Sequence, residues 1–73
     1  MATEDILVLF GLRVRQLRKQ RGLSQEKLAL EAELERSYIS DIETGRGNVA
    51  LRNIYALAAA LDVSISELFE GLV

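Results

Sequence analysis

Apolar residues recur along the chain at the spacing of helical faces. Leu7, Phe10, Val14 and Leu17 share one side of a first helix that Gly22 is placed to end, with Ile6 and Leu9 outside that stripe. A second helix opens at Ser24, whose hydroxyl suits an N-cap. Leu23 before it and Leu28 after it form a hydrophobic staple, and the helix runs to about Glu31. A third, about Glu35 to Thr44, repeats the staple with Leu34 and Ile39 and turns Ile39 and Ile42 inward, although Glu35 is a poor cap. The fourth, from about Ala50 to Asp62, takes Leu51, Ile54, Leu57, Ala58 and Leu61 as its buried face. In the fifth, Ser64 and Glu67 make a capping box, Val63 and Leu68 a staple, and Gly71 a terminator. The pattern predicts an all-α chain of four or five helices. No repeat, linker or low-complexity tract divides it, so residues 1–73 read as one domain.

Composition narrows the chemistry. A 73-residue chain buries only about 60% of its unfolded surface, so the stability margin is thin. With 49% hydrophobic residues but two Phe, two Tyr and no Trp, the core is built from Leu, Ile, Val and Ala. There is no Cys for a disulfide or thiolate site, and no His to serve as zinc ligand or general base. No metal, cofactor or small-molecule substrate is expected, and an enzyme is not: a nucleophile with its base, or paired carboxylates in a cleft, has little to be built from. The cytoplasm fits a cysteine-free chain. The apolar run Ile6–Phe10 is too short to span a membrane and follows Glu4 and Asp5, where a secretory signal would be basic, so a soluble, untargeted chain is expected.

Net charge is −2, which argues against nucleic acid as a partner. The distribution softens the objection. Arg13, Arg15, Arg18, Lys19 and Arg21 crowd the end of the first helix, while Glu26, Glu31, Glu33, Glu35, Asp41 and Glu43 load the middle. A segregated field can bind DNA with one face.

Only about three residues, Ala32 to Leu34, separate the second and third helices, the geometry of a helix-turn-helix. The stretches Leu23-Ser24-Gln25-Glu26-Lys27-Leu28-Ala29, Arg36-Ser37-Tyr38-Ile39-Ser40-Asp41-Ile42-Glu43-Thr44-Gly45 and Leu57-Ala58-Ala59-Ala60-Leu61-Asp62-Val63-Ser64 resemble the phage-repressor and Cro (XRE-type) family over about residues 10–70. The small size and the Arg-Ser-Tyr-Ile-Ser run are similar to the controller proteins of restriction-modification systems. The resemblance implies a compact five-helix, lambda-repressor-like domain with the helix-turn-helix at helices 2 and 3. It also implies a sequence-specific transcriptional regulator that binds a near-palindromic operator as a homodimer. Double-stranded DNA and a second copy are then the partners, with RNA polymerase as a third. The alternative is an antitoxin-type module that binds a protein partner and represses its own operon. The chain departs from the family at Glu33, where Gly is usual, at Glu35, where Ser or Thr caps, and at Val49, where Pro precedes helix 4. Positive φ at Glu33 would cost of order 1 kcal/mol.

On this reading Arg36, Ser37 and Ser40 face the bases, since Arg can grip guanine O6 and N7 and the short hydroxyls let the helix approach. Gln25 at the second helix start, Tyr38, Arg46, Asn48, Asn53 and Arg15 approach the sugar-phosphate backbone, with Arg52 flanking. The rest of the basic cluster on helix 1 is a solvated face that the helix dipole favours. Asp41 orients Arg36 or faces solvent, rather than accepting from cytosine N4. Relatives imply a structural ion pair between Arg18 and Glu43. Ile65, Leu68, Phe69, Leu72 and Val73 supply the dimer interface, where Ile6 and Leu9 can join them.

Overall fold

The computed structural model describes residues 5–72. Among these, every regular element is a helix: α1 Ile6–Gln20, α2 Gln25–Ala32, α3 Arg36–Glu43, α4 Leu51–Leu61 and α5 Ile65–Leu68. Val73, expected at the dimer interface, lies outside the described residues.

Side-chain caps start three of the helices. Asp5 Oδ1 accepts from Leu7 N–H at 2.9 Å, Ser24 Oγ from Lys27 N–H at 3.0 Å, and Ser64 Oγ from Glu67 N–H at 3.0 Å. Glu67 Oε1 accepts in return from Ser64 N–H at 2.9 Å and completes the capping box. Neither Glu35 nor Ala50 caps its helix through a side chain.

Helices α1, α2 and α4 end alike. The amides of Leu23, Leu34 and Val63 reach back five residues, to Arg18, Ala29 and Ala58 O, at 3.0, 2.8 and 3.0 Å. Each bond needs a left-handed residue just before it. After α2 and α4 that residue is Glu33 (φ 58°, ψ 43°) and Asp62 (φ 59°, ψ 43°), which adopt it against the clash of their Cβ. Leu23, Leu34 and Val63 then turn onto the core.

Phe10, Val14 and Leu17 of α1, Leu28, Ala29 and Ala32 of α2, Ile39 and Ile42 of α3, Leu57, Ala58 and Leu61 of α4, and Leu68 of α5 form one buried cluster. Two expectations change here. Leu51 is 75% exposed because it is the first residue of α4 and turns away from the core. Leu68 is wholly buried, so it seals the protomer's own core and has no surface to offer a second copy.

Two contacts position the outer helices. A Cβ built at Gly11 would lie 2.1 Å from Ile42 O, so α1 and α3 meet backbone to backbone at a point where only glycine fits. Arg13 donates from Nε and Nη2 to Glu67 O, at 3.2 and 2.7 Å, and lies 3.6 Å from the Glu70 carboxylate. It therefore ties the single-turn α5 to α1 rather than joining a solvated face. None of the described helices is long and apolar enough to cross a membrane.

Candidate nucleic-acid interface

Glu33, Leu34 and Glu35 connect α2 to α3, one residue later than the sequence pattern places the turn. The left-handed Glu33 makes the corner, and Leu34 plugs it against the core. Helix α3 is held from inside by Ile39, Ile42 and Glu43, all buried. At 100° per residue these three centre on one side of the helix, and Ser37 and Asp41, one turn apart, stand directly opposite. Both are exposed. Arg36 is exposed to one flank of that outward line, with Ser40 half-buried beside it, and Tyr38 is half-buried on the other flank.

Behind this face lies a charged network. Arg18 Nε donates to Glu43 Oε2 at 2.6 Å, Arg18 Nη2 to Oε1 at 3.0 Å, and Arg18 Nη1 to Leu23 O at 2.8 Å. The side chains are 11% and 3% exposed. The hydrogen bond to Glu43 raises the Arg18 pKa above its ordinary value, with burial opposing and the carboxylate's charge assisting. Gln25, at the first position of α2, donates from Nε2 to Glu43 Oε1 at 3.1 Å. The network fastens the end of α1, the start of α2 and the last turn of α3 to one another. Gln25 thus has one amide hydrogen committed to the protein and a second N–H still to donate.

Three of the other side chains assigned to DNA, Tyr38, Asn53 and Arg46, fall at the edges of α3. Tyr38 Oη accepts from Asn53 Nδ2 at 2.9 Å, which joins α3 to the start of α4 and leaves the phenol proton to be donated outward. Arg46 donates from Nε to Thr44 Oγ1 at 3.2 Å, and that Nε lies 3.8 Å from Asp41 Oδ1, with 70% and 55% of the two side chains exposed. Asp41 is therefore beside Arg46, not orienting Arg36, because it points out from the helix while Arg36 points along the flank. Asn48 and Arg52 are exposed, and Asn53 is half-buried. Arg15 is exposed on α1. Sequence reasoning missed the central place of Asp41, although counting turns from Ile39 and Ile42 would have found it. It also missed Gly11, whose signal was a glycine inside a helical stripe.

The chain matches the helix-turn-helix family model over residues 14–68. The control protein C.BamHI of Bacillus amyloliquefaciens is 49% identical over 69 residues, 93% of this chain and 85% of that protein. The restriction-modification controller protein C.AhdI from Aeromonas hydrophila shares 54% identity at a TM-score of 0.84, covering 86% of this chain and 96% of its own. The controller protein C.Esp1396I, solved as a tetramer in complex with its natural 35 base-pair operator, superposes at a TM-score of 0.86 with 30% identity, covering 94% of this chain and 91% of its own. A buried α1–α3 ion pair, a three-residue turn and an exposed second helix lie within the matched span. The chain belongs to the helix-turn-helix family of transcriptional regulators, among the control proteins of restriction-modification systems.

Proposed function

We propose that the protein binds a near-palindromic operator as a homodimer, lays α3 in the major groove of each half-site and controls the genes of a restriction-modification system. The observation that carries this reading is the outward face of α3, exposed at Ser37 and Asp41 with Arg36 exposed on its flank, and anchored through Ile39, Ile42 and Glu43. The operator-bound tetramer of C.Esp1396I supports it. Arg36 pairs with guanine O6 and N7, and Ser37 and Ser40 touch neighbouring base edges. Gln25, Tyr38, Arg46, Asn48, Asn53 and, from α1, Arg15 hold the sugar-phosphate backbone.

Apolar side chains left at the surface support the homodimer. Ile6, Leu51, Tyr55 and Ile65 are each more than 40% exposed, and Phe69 and Leu72 are half-buried. Two protomers related by a two-fold axis would set their α3 helices about 34 Å apart, one turn of DNA. Contact with RNA polymerase and action in the cytoplasm belong to the same proposal.

The test separates base contacts from phosphate contacts. Arg36→Ala is expected to cost roughly 1–3 kcal/mol on the cognate site and much less on unrelated DNA. Arg46→Ala is expected to weaken both and to reduce the slope of log affinity against log salt by about 0.9. Titrations on cognate and scrambled duplexes at several salt concentrations read both effects. An Arg36→Ala loss that is equal on the two duplexes overturns the assignment of α3 to the bases.

A further inference from the structure

The proposal above leaves one side chain of the outward face without a task. Asp41 stands with Ser37 directly opposite the buried side of α3, so a helix docked by that face carries the Asp41 carboxylate into the middle of the groove. The nearest cation to it is Arg46, at 3.8 Å in a loose and largely exposed contact. If Arg46 reaches for a phosphate, as assigned above, Asp41 loses that neighbour on docking. Its Nε, the atom that lies nearest Asp41, already donates to Thr44 Oγ1, so no hydrogen bond to the carboxylate holds the guanidinium back from a phosphate.

A carboxylate pressed into a groove must replace its lost water with a donor, or it opposes binding among the surrounding phosphates. In the major groove the base edges offer only two donors, the amino groups at cytosine N4 and adenine N6. At adenine the amino group sits beside the N7 acceptor, an edge that an amide matches with its own donor and acceptor. A carboxylate accepts only, and faces repulsion from N7. Cytosine N4 is the edge it fits.

Resting on the reading that α3 lies in the major groove, we propose that Asp41 is a specificity-determining residue that accepts a hydrogen bond from cytosine N4 at one position of each half-site. In the free protein the carboxylate rests beside Arg46. On unrelated DNA it meets no donor and weakens binding, and on the operator the cytosine takes it over as Arg46 passes to the backbone.

Bound sites selected from random duplexes by the wild-type protein, Asp41→Ala, Asp41→Asn and Arg36→Ala test this. Circular dichroism confirms that each variant is folded, which is expected because Asp41 is exposed and makes no buried contact. Wild-type sites should hold a cytosine that Asp41→Ala no longer selects while the other positions stay fixed, and Asp41→Asn should move that preference toward adenine. Replacing that C·G pair by T·A should weaken the wild-type protein at least about fivefold, the low end for one good base contact, and leave Asp41→Ala nearly unaffected. Asp41→Ala should also bind unrelated DNA more tightly than the wild type. If Asp41→Ala keeps every wild-type preference while Arg36→Ala loses one, Asp41 is no reader and only this proposal falls. If both keep every preference, the assignment of α3 to the bases falls with it.

Discussion

Replacing Arg18 by Met should do more damage than replacing Glu43 by Leu, although each removes one partner of the same pair. In Arg18→Met the Glu43 carboxylate, 3% exposed, loses donors at 2.6 and 3.0 Å and keeps only the neutral Gln25 amide at 3.1 Å. In Glu43→Leu the guanidinium keeps Leu23 O at 2.8 Å and, being the more exposed partner, can straighten its stem toward water. Breaking a buried pair costs about 3–5 kcal/mol. Arg18→Met should fall near the upper figure and Glu43→Leu near the lower. A domain of this size has about 4–11 kcal/mol in all, at the usual stability per residue, so Arg18→Met removes a large part of it.

The double variant Arg18→Met/Glu43→Leu leaves no stranded charge and should be more stable than Arg18→Met alone, with an interaction energy of about 2 kcal/mol or more. Urea denaturation followed by circular dichroism at 222 nm measures all three. An Arg18→Met cost below about 1 kcal/mol, or a double variant equal to the sum of the singles, refutes the reasoning. The sign with pH is fixed as well. Arg18 has a raised pKa in the folded state, so its contribution is complete below the unfolded value and is lost only as pH rises through the folded one. Both lie in the strongly alkaline range, so the Arg18 contribution to wild-type stability should not vary from neutral to mildly alkaline pH.

Two further variants probe the backbone. Glu33→Gly relieves the left-handed strain at φ 58° and should stabilise the fold by about 1 kcal/mol, a rise in Tm of about 4–8 °C by calorimetry. Gly11→Ala puts a methyl 2.1 Å from Ile42 O, which forces α1 and α3 apart, and should lower the urea-unfolding free energy by at least about 1–3 kcal/mol.

The helices and their order were legible because caps and apolar stripes are local: Ser24, Ser64 and Glu67 act on residues three places away. The left-handed corner at Glu33 was legible only through the resemblance, which puts a glycine at that position. Burial by a distant element was not. Periodicity gives Leu68 an apolar face but does not say that the core closes over it, and Leu51 continues the stripe of α4 while extending beyond the edge of the core. Arg13 looked like its basic neighbours, because its partner, the Glu67 carbonyl, lies 54 residues away. At the site, the sequence indicated which residues α3 exposes but not how they divide the face. That division depends on Glu43 being an inward residue, which periodicity does not give and the ion pair with Arg18, implied by the resemblance alone, does.

The burial of Glu43 also changes what the net charge of −2 implies for binding DNA. Arg18 and Glu43 cancel inside the protein, so neither contributes to the field at the surface. Lys27 and Glu31 lie 4.0 Å apart on the exposed side of α2 and largely cancel there too. Around α3 the exposed charges are Arg36, Arg46 and, at the start of α4, Arg52, set against Asp41, Glu35 and Glu33. Asn53 and Tyr38 fix the start of α4 to α3, so Arg52 travels with the recognition helix. A protomer thus brings few cations to the phosphates, and affinity from counterion release scales with that number. In the proposed complex, binding to arbitrary sequence should be weak for that reason, and weaker still while Asp41 has no donor. Discrimination in that complex would then rest on the base edges and on a second protomer doubling them, which would let a short acidic chain tell an operator from the DNA around it.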